Sequence, residues 1–146
     1  MSNPQDSIQV ARIIYYDDLE AECLTGGISM SARAYDVLWA LCAEEQLTVI
    51  ADVHTHPGSS VRQSPIDQRN PMMAIPGHLA FIVPHLATHQ IAPSEVGAYE
   101  YQGEHTWRTI ASDKALQIAG DTRNWRTVVL EWLDKLRQRW SRRWRR

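Results

Sequence analysis

The chain has 146 residues, 44% of them hydrophobic, and a formal net charge of −2. That length and apolar content suit one domain with its own core, and no repeat or linker divides it. No apolar run approaches the roughly 18 residues of a membrane-spanning helix, and the polar start from Met1 to Ser7 is unlike a secretory signal. Cys23 and Cys42 lack a C-x-x-C spacing. A transmembrane protein and a disulfide scaffold are therefore set aside, and a soluble, cytoplasmic protein with reduced core cysteines is expected.

Taken in chain order, Ile8 to Tyr16 reads as a strand. Ala32 to Gln46 reads as an amphipathic helix, with Ser29 or Ser31 as its cap and Tyr35, Leu38, Trp39 and Cys42 at helical spacing for a core face. Thr48-Val49-Ile50-Ala51-Asp52-Val53 is β-branched and apolar, so it predicts a buried strand that runs into His54-Thr55-His56 and is stopped by Pro57-Gly58. Side chains two apart on a strand share a face, with Cα atoms roughly 7 Å apart, a span two imidazoles can close onto one ion.

Ser64-Pro65-Ile66-Asp67 has the form of a helix start, with Ser64 at the N-cap, Pro65 at the first helical position and Asp67 in the first turn. Two histidines and one carboxylate make a metal set of catalytic rather than structural type, because structural zinc sites close all four positions and favour cysteine. Such a site lowers the pKa of zinc-held water from about 15.7 to near 7. Ser64, three residues before the carboxylate, places a hydroxyl donor beside the metal, and one donor aimed at a developing oxyanion is typically worth about 2.7 to 4 kcal/mol. The pattern predicts zinc ligands His54, His56 and Asp67, a catalytic Ser64, and amide hydrolysis as the reaction.

Further along, Asp67 to Met73 predicts a short helix or loop ended by Pro71 or Pro76. Gly77 to Pro84 predicts a buried strand. His78, His85 and His89 lack ligand spacing and are assigned structural or exposed roles. Val96 to Tyr101 and Thr106 to Ile110, joined through Gln102-Gly103-Glu104, predict a hairpin at a sheet edge, where an extended substrate tail could add as another strand. Asp113 to Ile118 predicts a short helix.

Asn124 to Trp144 predicts a long helix with Trp125, Val128, Val129, Trp132, Leu133, Leu136 and Trp140 as its apolar stripe. From Asp121 onward there are nine basic and three acidic residues, so this end carries +6 and residues 1–120 carry −8. The expected organisation is a domain over residues 1–120 and a basic amphipathic helix over 121–146. Two readings of that helix stand side by side: it packs on the domain and ends in a solvated tail, or it docks an acidic protein, anionic lipid or nucleic acid.

At His54-Thr-His56-Pro-Gly, Ser64 and Asp67, the chain resembles the JAMM (MPN+) zinc metallopeptidases, and more closely their prokaryotic JAB-like branch. The resemblance runs from about Ile8 to about Ile110. It implies an α+β fold of cytidine-deaminase-like, JAB/MPN architecture, a curved mixed β-sheet flanked by helices, with Gly27 to Ser31 as a second early strand. By this likeness the zinc ligands fall on His54, His56 and Asp67 and the oxyanion-stabilising serine on Ser64. The implied activity is (iso)peptide hydrolysis at the C-terminal tail of a ubiquitin-like or sulfur-carrier modifier. The family also uses an acid/base glutamate on an early strand, which the alignment puts before Met1; Glu20 and Glu22 are the candidates within the chain. Two further readings follow: a catalytically impaired MPN-like scaffold that binds metal and a partner, and a nucleic-acid-associated relative resembling the RadC-like branch.

Overall fold

The computed structural model describes residues 10–22 and 28–116. Cys23 and the helix expected over residues 124–144 lie outside them. The chain falls into two compact units, Met1–Val49 and Ile50–Arg146.

In the first unit, α1 (Tyr16–Leu19) is a single helical turn, and α2 (Ala32–Glu45) is the long helix. The side chain of Ser31 caps α2 by accepting the N–H of Ala34, and Gln46 ends it in the left-handed region at φ 54°. Its buried face is Ala34, Leu38 and Cys42, four residues apart each time. Tyr35 and Trp39 stack beside that stripe with ring centroids 6.2 Å apart, and Trp39 is 39% exposed, so the expected aromatic core is instead a stripe of smaller side chains. The strand predicted from Ile8 to Tyr16 is corrected: residues 10–15 form no strand, Tyr16 opens α1, and Val10 and Ile13 are exposed. Asp17 and Asp18 favour the start of a helix through its macrodipole. Residues 28–31 form no strand either, because Ser31 is taken up as the cap of α2.

The second unit is α+β, built on a four-stranded mixed sheet in the order β1 (Ala51–Thr55), β2 (Leu79–Val83), β3 (Gly97–Gly103) and β4 (Thr106–Thr109). β2 is buried along Ala80, Phe81, Ile82 and Val83, which explains its unbroken apolar run. The strand expected over Thr48 to Val53 starts later, at Ala51, and includes His54, because parallel pairing with β2 begins at Ala51 opposite Leu79. Parallel neighbours need a long crossover. Here the crossover is residues 56–78, and it carries the five-residue helix α3 (Pro65–Arg69), which stops at Asn70, just before Pro71.

β2 pairs antiparallel with β3, and β3 with β4, so the predicted hairpin is present. Its turn residues Glu104 and His105 both have positive φ, 50° and 56°, after an irregularity between Tyr101 and Gly103. The chain then forms α4 (Ser112–Ala115), which starts one residue before the span predicted for the last short helix, Asp113 to Ile118. No helix among the described residues is long and apolar enough to cross a membrane.

Register places Asp52 opposite Ala80 and Ala80 opposite Tyr99, while His54 lies opposite Ile82 and Ile82 opposite Gly97. Directly opposed residues share a face. Asp52, His54, Tyr99 and Gly97 therefore occupy the same side of the sheet, and the crossover covers that side.

Candidate metal centre

The site forms where β1 ends. His54 is in the strand, and His56 continues its ladder by donating its backbone N–H to the Val83 carbonyl at 2.9 Å. The Asp52, His54 and His56 side chains thus recur at the strand period along one line. Asp67 arrives from the other direction on the first turn of α3. Ser64 and Asp67 make a reciprocal capping box: Ser64 Oγ accepts the Asp67 N–H at 3.2 Å, and Asp67 Oδ2 accepts the Ser64 N–H at 2.6 Å. With Pro65 presetting the backbone behind it, the carboxylate is held in one orientation.

His54, His56 and Asp67 each offer one ligand atom, and these atoms lie within 4.8 Å of one another. His54 Nε2 is 3.6 Å from Asp67 Oδ1, and His56 Nε2 is 3.5 Å from Asp67 Oδ2. Bonds of about 2.0 to 2.2 Å to a tetrahedral ion separate neighbouring ligand atoms by about 3.3 to 3.5 Å, so both spacings suit a shared metal. They are long for direct hydrogen bonds.

The three residues can hold a metal ion, and two features fit that use. His54 Nε2 is buried and has no hydrogen-bond partner among the described residues. A buried polar atom left unsatisfied costs about 1 to 3 kcal/mol, and a metal bond would satisfy it. His56 Nδ1 is 3.0 Å from the carbonyl of Ser60, which accepts a proton carried there and leaves the Nε2 lone pair directed at Asp67 and the ligand cluster.

Two residues outside the motif join the site. Asp52 Oδ2 lies 3.7 Å from His54 Nδ1, and Asp52 Oδ1 lies 2.9 Å from His78 Nε2. Burial pushes the Asp52 carboxyl upward most strongly of any single effect, but its interactions with His54 and His78, hydrogen bonding first, together outweigh it and hold it below the usual carboxylate value. The expectation that His78 is structural understates its connection to this carboxylate. The signal available in the sequence was Asp52 itself, two residues before the first histidine and hence on its face of the strand.

The crossover is anchored by the hairpin. Tyr99 donates its hydroxyl to the Val61 carbonyl at 2.8 Å, and Trp107 Nε1 donates to the Gln68 carbonyl at 3.0 Å. Gly97 makes room for the same loop, since a Cβ there would collide with the Val61 carbonyl oxygen. On the far side, His85, Leu86 and Ala87 all have positive φ, between 52° and 55°. This left-handed turn is tied down by His85 N–H to Gly58 O at 2.9 Å and Leu86 N–H to His56 O at 2.8 Å. Bulky residues persist in that region only where surrounding bonds overdetermine it.

Glu20 belongs to the first unit. Its carboxylate accepts the Ser31 hydroxyl at 2.7 Å and the Ser31 N–H at 3.1 Å, and these two bonds lower its pKa, the hydroxyl having the larger effect. Glu22 is exposed just after α1. The rings of His85 and His89 lie tilted against each other with centroids 5.0 Å apart, and neither residue is a member of the ligand group. No protein-family model matches the chain.

Proposed function

We propose that this chain is a zinc-dependent peptidase or isopeptidase of the JAMM type, with the JAB/MPN architecture, acting in the cytoplasm on the C-terminal tail of a ubiquitin-like or sulfur-carrier protein. The observation that carries the reading is the convergence of His54 Nε2, His56 Nε2 and one carboxylate, Asp67, from a strand and a capped helix. Zinc held by these atoms would supply a water acidified to near neutrality and a Lewis acid for the scissile carbonyl. Ser64 keeps its hydroxyl oxygen as the cap acceptor for Asp67 N–H, so its proton remains to be donated to a developing oxyanion. The His56 contact to Ser60 and the capping box hold the ligands in place before substrate arrives.

The test is metal analysis of the purified chain, together with cleavage of a modifier–peptide fusion with and without chelator. One zinc per chain and chelator-sensitive cleavage, both lost in His56→Ala, are expected. A protein that takes up no zinc, or cleavage indifferent to chelator, overturns the reading.

A second reading, a metal-binding scaffold of the same fold with impaired catalysis, is favoured by one observation: both oxygens of Glu20 are committed to Ser31. Those bonds stabilise the carboxylate and weaken it as a base. One bound zinc with no cleavage of any fusion selects this reading; chelator-sensitive cleavage abolished by Glu20→Gln or Glu22→Gln removes it and identifies the base.

A further inference from the structure

We infer that Asp52 and His78 form a positioning pair for the metal centre, in which Asp52 fixes the proton of His54 on Nδ1 and His78 fixes Asp52. The inference rests on the metal-site reading and adds to it the groups that orient the first ligand.

The geometry is directional. The two nitrogens of His54 face two different carboxylates: Nδ1 is 3.7 Å from Asp52 Oδ2, and Nε2 is 3.6 Å from Asp67 Oδ1. A neutral imidazole carries one proton, and the nitrogen without it is the one that can bind a metal. Asp67 already receives the Ser64 N–H on one oxygen and faces both histidines, so its remaining capacity is directed into the ligand cluster. Among the described residues, Asp52 faces the Nδ1 edge of His54 and the Nε2 edge of His78. At 3.7 Å this contact is longer than a hydrogen bond, so Asp52 favours a proton on His54 Nδ1 through its charge, as a carboxylate that takes no part in the ligand cluster, and the buried Nε2 is left with its lone pair. This is the outer-shell arrangement by which metal-bound histidines gain basicity and a set orientation.

The carboxylate needs fixing in its turn, and His78 supplies it. The His78 side chain is 2% exposed and reaches Asp52 Oδ1 at 2.9 Å. Its backbone is set on both sides: its N–H donates to Ile75 O at 3.1 Å and its carbonyl accepts the Tyr101 N–H at 2.8 Å. Among the described residues His78 Nδ1 is buried without a partner, so the ring contributes one directed contact there, the one to Asp52. With the proton on Nε2, the unpaired nitrogen is a bare acceptor, and the single donor points at the carboxylate. A residue placed there only to fill space would not need a nitrogen in that position.

The test uses the full chain and two readouts. The first is the ring-nitrogen NMR signature of His54 in metal-free protein, which reports its tautomer whether or not the chain binds zinc. The Nδ1–H form is expected in the wild type, with a shift toward Nε2–H in Asp52→Asn; a wild type already in the Nε2–H form overturns the proposal. The second is zinc affinity by competition with a chromophoric chelator. Asp52→Asn and His78→Leu are expected to bind zinc about 10- to 100-fold more weakly. His78→Gln, which keeps an N–H donor, should recover most of the loss. Affinity unchanged in both Asp52→Asn and His78→Leu, or no better in His78→Gln than in His78→Leu, overturns the proposal. A wild type that binds no zinc but shows the Nδ1–H form of His54 refutes the metal reading and leaves the pair standing as the determinant of that tautomer.

Discussion

The phenol of Tyr99 on β3 donates a hydrogen bond to the carbonyl of Val61 at 2.8 Å, in the crossover that carries Ser64 and Asp67. Two strands away from the ligands, this bond and the space left by Gly97 determine where the loop crosses the sheet. The candidate ligand set is thus held by residues far from it in sequence. Tyr99→Phe should lower stability by about 0.5 to 1.5 kcal/mol, the net worth of one such bond. Gly97→Ala should cost about 1 to 3 kcal/mol through overpacking against the Val61 carbonyl. Urea denaturation measures both, and Gly97→Ala should also weaken zinc binding, since it displaces the loop itself.

Zinc should stabilise the fold through the three ligands. At a free concentration one hundred times Kd, a ligand specific for the native state adds about 2.7 kcal/mol. Denaturation in zinc and in chelator should differ by that amount in the wild type. The difference should vanish in Asp67→Ala, which removes the carboxylate that both histidines face.

Ser64 has two separable duties. Glycine is nearly as good an N-cap as serine, within a few tenths of a kcal/mol, but has no hydroxyl to donate. Ser64→Gly should therefore leave the unfolding midpoint almost unchanged while reducing cleavage of a fusion substrate about 10²- to 10³-fold. An equal loss of stability and activity would show that the side chain acts only as a cap.

Asp52 gives the metal-free protein a defined acid limb. Its folded-state pKa is depressed, so the unfolded chain binds the proton more readily and stability rises with pH. The contribution is present above the ordinary aspartate value of about 3.9 and is lost as pH falls through the lower folded value. In chelator, Asp52→Asn should lose stability at neutral pH and unfold with a shallower dependence across that acid window, as measured by circular dichroism.

The hairpin turn is the place where stability can be gained away from the site. Glu104 and His105 both sit at positive φ, which two-residue turns of this kind normally assign to Asn-Gly. The double substitution Glu104→Asn, His105→Gly should raise stability by about 1 kcal/mol, seen as a higher urea midpoint with unchanged slope.

Local chemistry was enough to reveal part of this protein. The capping box at Ser64, the stop of α3 before Pro71, the helix beginning at Ala32, the apolar run of β2 and the β3–β4 hairpin all follow from residues within a few positions of each other. The same holds for His54, His56 and Asp67 as a group that could hold a metal ion, because strand period and N-cap geometry act over short spans. The early strand failed for the complementary reason. Residues 10–15 have apolar character but pair with no strand among the described residues, and pairing is a property of the partner as much as of the segment. Likewise β1 begins where Leu79 meets Ala51, a register no local pattern encodes. Only the tertiary structure brought His78 to Asp52, 26 residues away, and Tyr99 to Val61, 38 residues away. Sequence determined which side chains can bind and donate; the parallel pairing of β1 with β2 decided what surrounds them, because it forces the intervening chain back across one face of the sheet.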